Sequence, residues 1–185
     1  MTSGEFYKTR PDPSNYAPHD EAYVSKVPDA NVLEVLRDQI EEMSEMFGRM
    51  TDEDASFRYA EGKWSLQQLV GHCTDTERVD VYRAMRIARA DDTPLAGYDE
   101  NHYVVESNFD TRSLADLLSE FVLVRKATIA FFGALDAGAW SKTGVANDFT
   151  YSVRAIAFII AGHLEHHRRV IGERYLPLMG RFGQR

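Results

Sequence analysis

A single cysteine, Cys73, rules out an internal disulfide framework and any cysteine-rich zinc site. Basic charge is in deficit: 21 Lys and Arg face 29 Asp and Glu, a formal net charge of −8 over 185 residues. Duplex nucleic acid and anionic membranes are bound by basic faces, so neither is an expected partner. The longest apolar run, Ala155 to Gly162, is far short of the roughly 20 residues needed to cross a bilayer. The opening Met1–Pro13 has no apolar core of the kind a secretory signal carries. Proline is concentrated in the first thirty residues, at Pro11, Pro13, Pro18 and Pro28, and is sparse beyond them. Repeats, linkers and strand-like alternation are almost missing. With 44% hydrophobic residues the chain can still bury a core. These features describe one acidic domain over 1–185, expected in the cytoplasm, with residues 1–30 as an irregular arm.

What is present is helical periodicity. Leu33, Leu36, Ile40, Met43, Phe47 and Met50 are spaced 3-4-3-4-3, the seam of a helix packed on other helices, with Asn31 as its cap. A second helix opens at Ser65, whose hydroxyl can cap Gln68 while Gln68 reaches back, and it runs to about Ala90. Ser113 begins a third, with the seam Leu114, Leu117, Phe121, Val124, Thr128, Phe131 and Leu135. Ser152 or Thr150 caps a fourth, whose inward line is Val153, Ile156, Ile160, His163, His167, Val170 and Arg174. Four amphipathic helices predict an all-α fold, an antiparallel four-helix bundle. The connection between the second and third helices, roughly 91–112, is too long for a simple bundle turn and reads as a binding loop.

The informative residues are histidines on inward faces. His163 and His167, at i and i+4, rise from one side of the fourth helix about one turn apart. Two neutral imidazoles at that spacing can reach one divalent ion, and each one buried without a partner costs of order 1–3 kcal/mol. His72 lies on the inward row of the second helix with Leu69, Thr76 and Val79, so it could supply a third nitrogen. Spacing alone leaves the alternative open, in which core hydroxyls or carbonyls satisfy all three. A zinc-peptidase helix is excluded, because the position after His163 is Leu164 and not glutamate.

The run Gly62-Lys63-Trp64-Ser65 followed by His72, Asp75 and Glu77, the loop segment Pro94 to Asn101, and His163-Leu164-Glu165-His166-His167 together resemble the DinB-like superfamily. The resemblance covers about 30–175. It implies a four-helix bundle holding a divalent metal, nickel or zinc, on His72, His163 and His167, and it implies a homodimer. Related branches act through low-molecular-weight thiols such as mycothiol, bacillithiol or glutathione. The corresponding expectation is a metal-dependent enzyme that activates a thiol or water against a small-molecule electrophile. A dimeric binding module without turnover is the alternative.

Around these residues, Asp75 could accept the free N–H of a ligating imidazole, or pair with Arg78 three positions on. Tyr98, Asp99, His102 and Arg83 are candidates for lining the pocket. Glu77 and Asp80 read slightly better as a solvated face than as a buried network. Cys73 reads as a small core residue. Phe158, Ala161 and Gly162, on the far side of the fourth helix, read either as a face covered by a partner helix or the N-terminal arm or as ordinary core contacts of a broad apolar stripe.

Overall fold

The computed structural model describes residues 6–180. After 3₁₀ turns at Pro13–Asn15 and Pro18–Asp20 come a single-turn helix α1 (Glu21–Val24), α2 (Val32–Phe47), a short α3 (Asp52–Ala55) and α4 (Leu66–Ala88). The long connection contains α5 (Glu100–Glu106) and a further 3₁₀ turn. It leads to α6 (Leu114–Gly133), α7 (Ala137–Ser141), a hairpin of β1 (Thr143–Ala146) with β2 (Phe149–Ser152), and α8 (Val153–Val170). A π-helical turn, Ile171–Tyr175, follows.

The helix starts follow the local chemistry of the sequence. Asn31 accepts from the Leu33 amide. Ser65 and Gln68 form the reciprocal capping box, and Ser113 and Ser152 cap α6 and α8. Each cap satisfies amides that have no partner inside the helix. Five of the seven expected inward residues between Leu114 and Leu135 are buried, and two positions differ. Arg125 and Phe132 are buried where Val124 and Phe131 were expected to be, and those two are half-buried. A pattern reader places arginine outside by default, whereas here burial is made possible by a dedicated carboxylate.

α2, α4, α6 and α8 form the expected four-helix bundle, and the cross-links between helices give their directions. α2 and α6 are antiparallel, with Arg125 reaching the Leu36 carbonyl and Gln39 while the Leu114 amide donates to Asp52. So are α4 and α8, through His72 with His163 and the Tyr175 hydroxyl on the Trp64 carbonyl. α4 and α6 are parallel: Gln67 donates to the Arg112 carbonyl, Arg78 pairs with Glu120, and Arg125 with Glu77. α2 and α8 are parallel too, through Gln39 with Ala161 and Glu42 with Arg168. This explains the long loop. To start α6 beside the start of α4, the chain must travel back along a 23-residue helix, about 34 Å at 1.5 Å per residue.

Two apolar clusters fill the two ends of the bundle. One gathers Leu36, Ile87, Phe132, Trp140 and Ile156 with the arm residues Val24 and Val27. The other gathers Met43, Phe47, Leu69, Phe121, Leu164 and Tyr175. The buried polar residues Gln39, Glu77, Arg125 and His163 lie on the four helices between them. The far face of α8 is covered by the chain itself, since the α1 backbone at Tyr23 lies against Gly162, where a Cβ would come within 2.0 Å of the Tyr23 carbonyl oxygen. No helix among the described residues is long and apolar enough to cross a membrane.

Candidate metal centre

His72 is in the second turn of α4, where the Ser65 cap fixes the helix start and the inward row runs His72, Thr76, Asp80 and Arg83. His163 and His167 project from α8. The three rings converge: His163 Nε2 lies 3.1 Å from His72 Nε2 and 3.1 Å from His167 Nε2. One ligand atom from each residue falls within a 4.8 Å set. His72 and His163 are buried and His167 half-buried.

These nitrogens cannot satisfy one another. A neutral imidazole has one ring N–H and one lone pair, and the single in-plane position on His163 Nε2 cannot serve both neighbours. Protonation is opposed as well. Burial pulls His72 down to about 4. It holds His163 and His167 well below their ordinary value, with further depression from the neighbouring rings. With their protons on Nδ1, neutral imidazoles whose Nε2 atoms meet at one point can offer three lone pairs to a metal ion. Ligands about 2.0–2.1 Å from one zinc ion stand roughly 3 Å apart, as these do. The donor set therefore fits a divalent ion.

The surrounding residues wall and orient the cluster. The Trp64 ring packs on His72 at 4.6 Å between centroids, and Tyr23 meets His163 edge-on at 5.2 Å. Thr76 Oγ1 lies 3.5 Å from His72 Nδ1 and 2.8 Å from the Tyr98 hydroxyl, so a hydroxyl chain rather than a carboxylate stands behind that imidazole. A cleft of about 270 Å³ opens from the three histidines toward Asp20, Asp80, Arg83 and Tyr151. At that end Arg83 donates to Asp80 at 3.2 Å, and Tyr151 donates to Asp20 at 2.9 Å. Burial raises the Asp80 carboxyl to about 7 against the opposing pull of Arg83. Asp20 is raised for the same reason, although the Tyr151 hydrogen bond offsets part of it.

The structure brings His72, His163, His167, Tyr98 and Arg83 to one cleft, with the Arg83 guanidinium 5.8 Å from the Tyr98 ring centre. Asp75 faces elsewhere: it accepts from Arg78 at 3.1 Å, the pairing expected of an ordinary surface carboxylate. Asp99 is exposed and caps α5, accepting from the amides of Asn101 and His102, and His102 is exposed and outside the histidine cluster. Glu77 and Asp80 are buried, contrary to the solvated face expected of them, because each has an arginine partner. Cys73 is buried and its thiol is pushed up by burial, as suits a core residue. Sequence reasoning missed Asp20 and Tyr23, since nothing local links the arm to the site. It also missed Asp80, although the His72–Thr76–Asp80–Arg83 spacing follows one helix face.

Comparison with known proteins agrees with the fold. The model of the DinB superfamily matches residues 36–171. A protein of Oceanobacillus iheyensis, named as a candidate metal-dependent hydrolase, is 28% identical over 65 residues, which is 35% of this chain and 37% of that relative. The chain thus matches little more than a third of that relative's length. Among solved structures, YfiT from Bacillus subtilis superposes with a TM-score of 0.71 at 18% identity, covering 94% of each chain. It is described as a candidate metal-dependent hydrolase with an unusual four-helix bundle topology.

Proposed function

For a chain that belongs to the DinB superfamily, we propose that the three-histidine cluster holds a divalent metal ion and that the cleft beside it hydrolyses a small-molecule substrate. The observation that carries this reading is the convergence of three uncharged imidazole nitrogens, two buried and one half-buried, which cannot all satisfy one another and which a shared divalent ion would satisfy together. A divalent ion bound there supplies Lewis acidity and lowers the pKa of a coordinated water or thiol.

The chain's own residues supply the rest. Thr76 and Tyr98 hold the outer edge of His72 and so fix its ring. Trp64 and Tyr23 wall the cluster. Asp80, with a carboxyl near 7, holds or releases a proton at neutral pH at the far end of the cleft, and Arg83 orients it. Nickel and zinc both suit three imidazoles. Water is the nucleophile in the simplest form of the reaction; a low-molecular-weight thiol in its place makes the same site a transferase.

Metal analysis of the full chain purified without a histidine tag tests the reading. It should contain close to one divalent ion per chain, and His163→Ala should lose it. An untagged protein with only traces of metal, melting unchanged by chelator, would refute it. Assays with activated esters, alone and with added thiols, separate hydrolysis from transfer. A metal-loaded protein inert toward both would favour the binding module without turnover.

A further inference from the structure

Six described arginines are not fully exposed: Arg83, Arg86, Arg112, Arg125, Arg154 and Arg168. Five of them sit on carboxylates, at Asp80, Asp91, Asp116 with Glu120, Glu77, and Glu42 with Glu165. Arg154, the second residue of α8, is the exception. It has neither an ion pair nor a hydrogen bond among the described residues, and its Nε is fully buried without an acceptor. Burial alone acts on its guanidinium, lowering the pKa with no acidic group to compensate. In a chain with an excess of eight acidic charges, a half-buried arginine without a carboxylate is an unmet electrostatic demand.

Arg154 faces a cavity of about 370 Å³ between α8 and the N-terminal arm, which also exposes Arg10, Asn15 and Ser141. Arg10 is a second cation without a carboxylate, tethered through its Nη atoms to the carbonyls of Val24 and Val27. The acid that lines the cavity, Asp12, is committed to its own turn, where Oδ1 accepts from the Ser14 amide and hydroxyl. The cavity is separate from the histidine cleft, lies nine residues up α8 from His163, and shares none of that cleft's lining residues.

We propose that this cavity binds a small oxyanion, the phosphate or carboxylate group of a small molecule, through the forked guanidinium of Arg154 with Arg10 as the second positive charge. A guanidinium presents parallel N–H donors that match either group bidentately. The cavity could hold a molecule well beyond a bare ion. Because Arg10 and Asn15 belong to the arm, the bound anion ties the arm to the start of α8. That same arm carries Asp20 and Tyr23 into the histidine cleft.

Calorimetric titration of the full chain with inorganic phosphate, and separately with succinate, at constant ionic strength with chloride as the background, tests this. Saturable binding of either anion is expected, and the anion that binds identifies the group. Arg154→Gln should weaken it by about tenfold or more, the equivalent of one charge-assisted hydrogen bond. Arg154→Lys keeps the charge but loses the fork and should fall between. Arg37→Gln, at an exposed position on α2, should change nothing. Hydrogen exchange should slow across residues 9–15 when the anion is added. Absence of saturable binding of both anions to the wild type, or undiminished binding by a folded Arg154→Gln, would overturn the proposal.

Discussion

Two buried polar groupings share the middle of the bundle, and they treat their polar atoms in opposite ways. In the first, Glu77 of α4 accepts from Arg125 of α6 through Nε at 2.9 Å and Nη2 at 2.8 Å. Arg125 donates on to Gln39 of α2 at 2.6 Å, and Gln39 donates to the Ala161 carbonyl of α8 at 2.8 Å. Every link is a complementary donor and acceptor, and the chain of links touches all four long helices. In the second, two residues along α8 from Ala161, His163 Nε2 faces two nitrogens of like character, each at 3.1 Å. The first grouping is complete as folded and needs nothing from outside; it fixes which helices are neighbours. The second has no complementary partner within the chain, and the proposed ion would supply one. Burial alone does not separate structural polar groups from functional ones. Whether the partners are complementary does.

That contrast can be broken at its strongest point first. Glu77→Ala leaves the Arg125 guanidinium 1% exposed and unpaired, so it should cost about 3–5 kcal/mol in urea unfolding. The loss should be the same with and without chelator. Replacing both partners, Glu77→Leu with Arg125→Met, should recover most of it, because no charge is then left buried. A Glu77→Ala variant that unfolds like wild type would mean the network is not what orders the helices.

The histidine grouping should dominate the pH dependence of the chelator-treated protein. His72 falls from 6.5 to about 4 on folding, so below pH 6.5 the unfolded chain binds the proton that the folded one refuses. Stability is therefore full above 6.5 and is lost as pH drops toward 4, by about 3 kcal/mol for His72 alone. Asp80 works in the other direction. Its folded value near 7 lies above 3.8, so it favours the fold at low pH and loses that contribution as pH rises toward 7. Both act between about pH 4 and 7, so His72→Gln should flatten the acid limb, and Asp80→Asn, by removing the opposing contribution, should steepen it. Urea midpoints measured from pH 4 to 8 separate the two, and an acid limb unchanged in His72→Gln would contradict the burial-driven shift.

The helix framework and much of the histidine grouping could be read in the sequence, whereas the Glu77–Arg125–Gln39 grouping could not. The caps at Ser65, Ser113 and Ser152 are local, and so were legible. His163 and His167 were legible because i and i+4 on one helix is geometry the sequence carries by itself. His72 was legible as an inward residue, though its distance from α8 needed the fold. The Arg125 position was not, since its burial depends on Glu77, 48 residues away. Asp20 and Tyr23 were hidden for the same reason: the arm reaches the cleft only through tertiary packing on α8. The parallel run of α4 beside α6 was not legible, since a long 91–112 connection reads equally as a binding loop.

Metal linkage gives a smaller effect, and one that should be confined to the histidine side. An ion bound at a hundredfold excess over its Kd stabilises by about 2.7 kcal/mol. Chelation should therefore lower the melting temperature of wild type but not of His163→Ala, while Glu77→Ala should retain the full chelator response. Equal responses in wild type and His163→Ala would detach the stabilisation from this cluster.

The least effect is expected where the arm meets α8, and it should fall on one grouping only. A Cβ at residue 162 would sit 2.0 Å from the Tyr23 carbonyl oxygen, which is backbone and cannot swing aside. Gly162→Ala must therefore lift α1. Overpacking of this kind costs about 1–3 kcal/mol, partly offset by roughly 1 kcal/mol of helix propensity gained. The displaced arm takes the Tyr23 ring away from His163 and Asp20 away from the Tyr151 hydroxyl. The Gln39 to Ala161 hydrogen bond lies next door along the backbone but on the bundle side of α8. Tyr23 exchange protection and metal affinity should fall together, with the chelator-insensitive part of the stability nearly unchanged. If the insensitive part drops as far as it does in Glu77→Ala, the arm supports the whole polar layer, and the division between the two groupings fails.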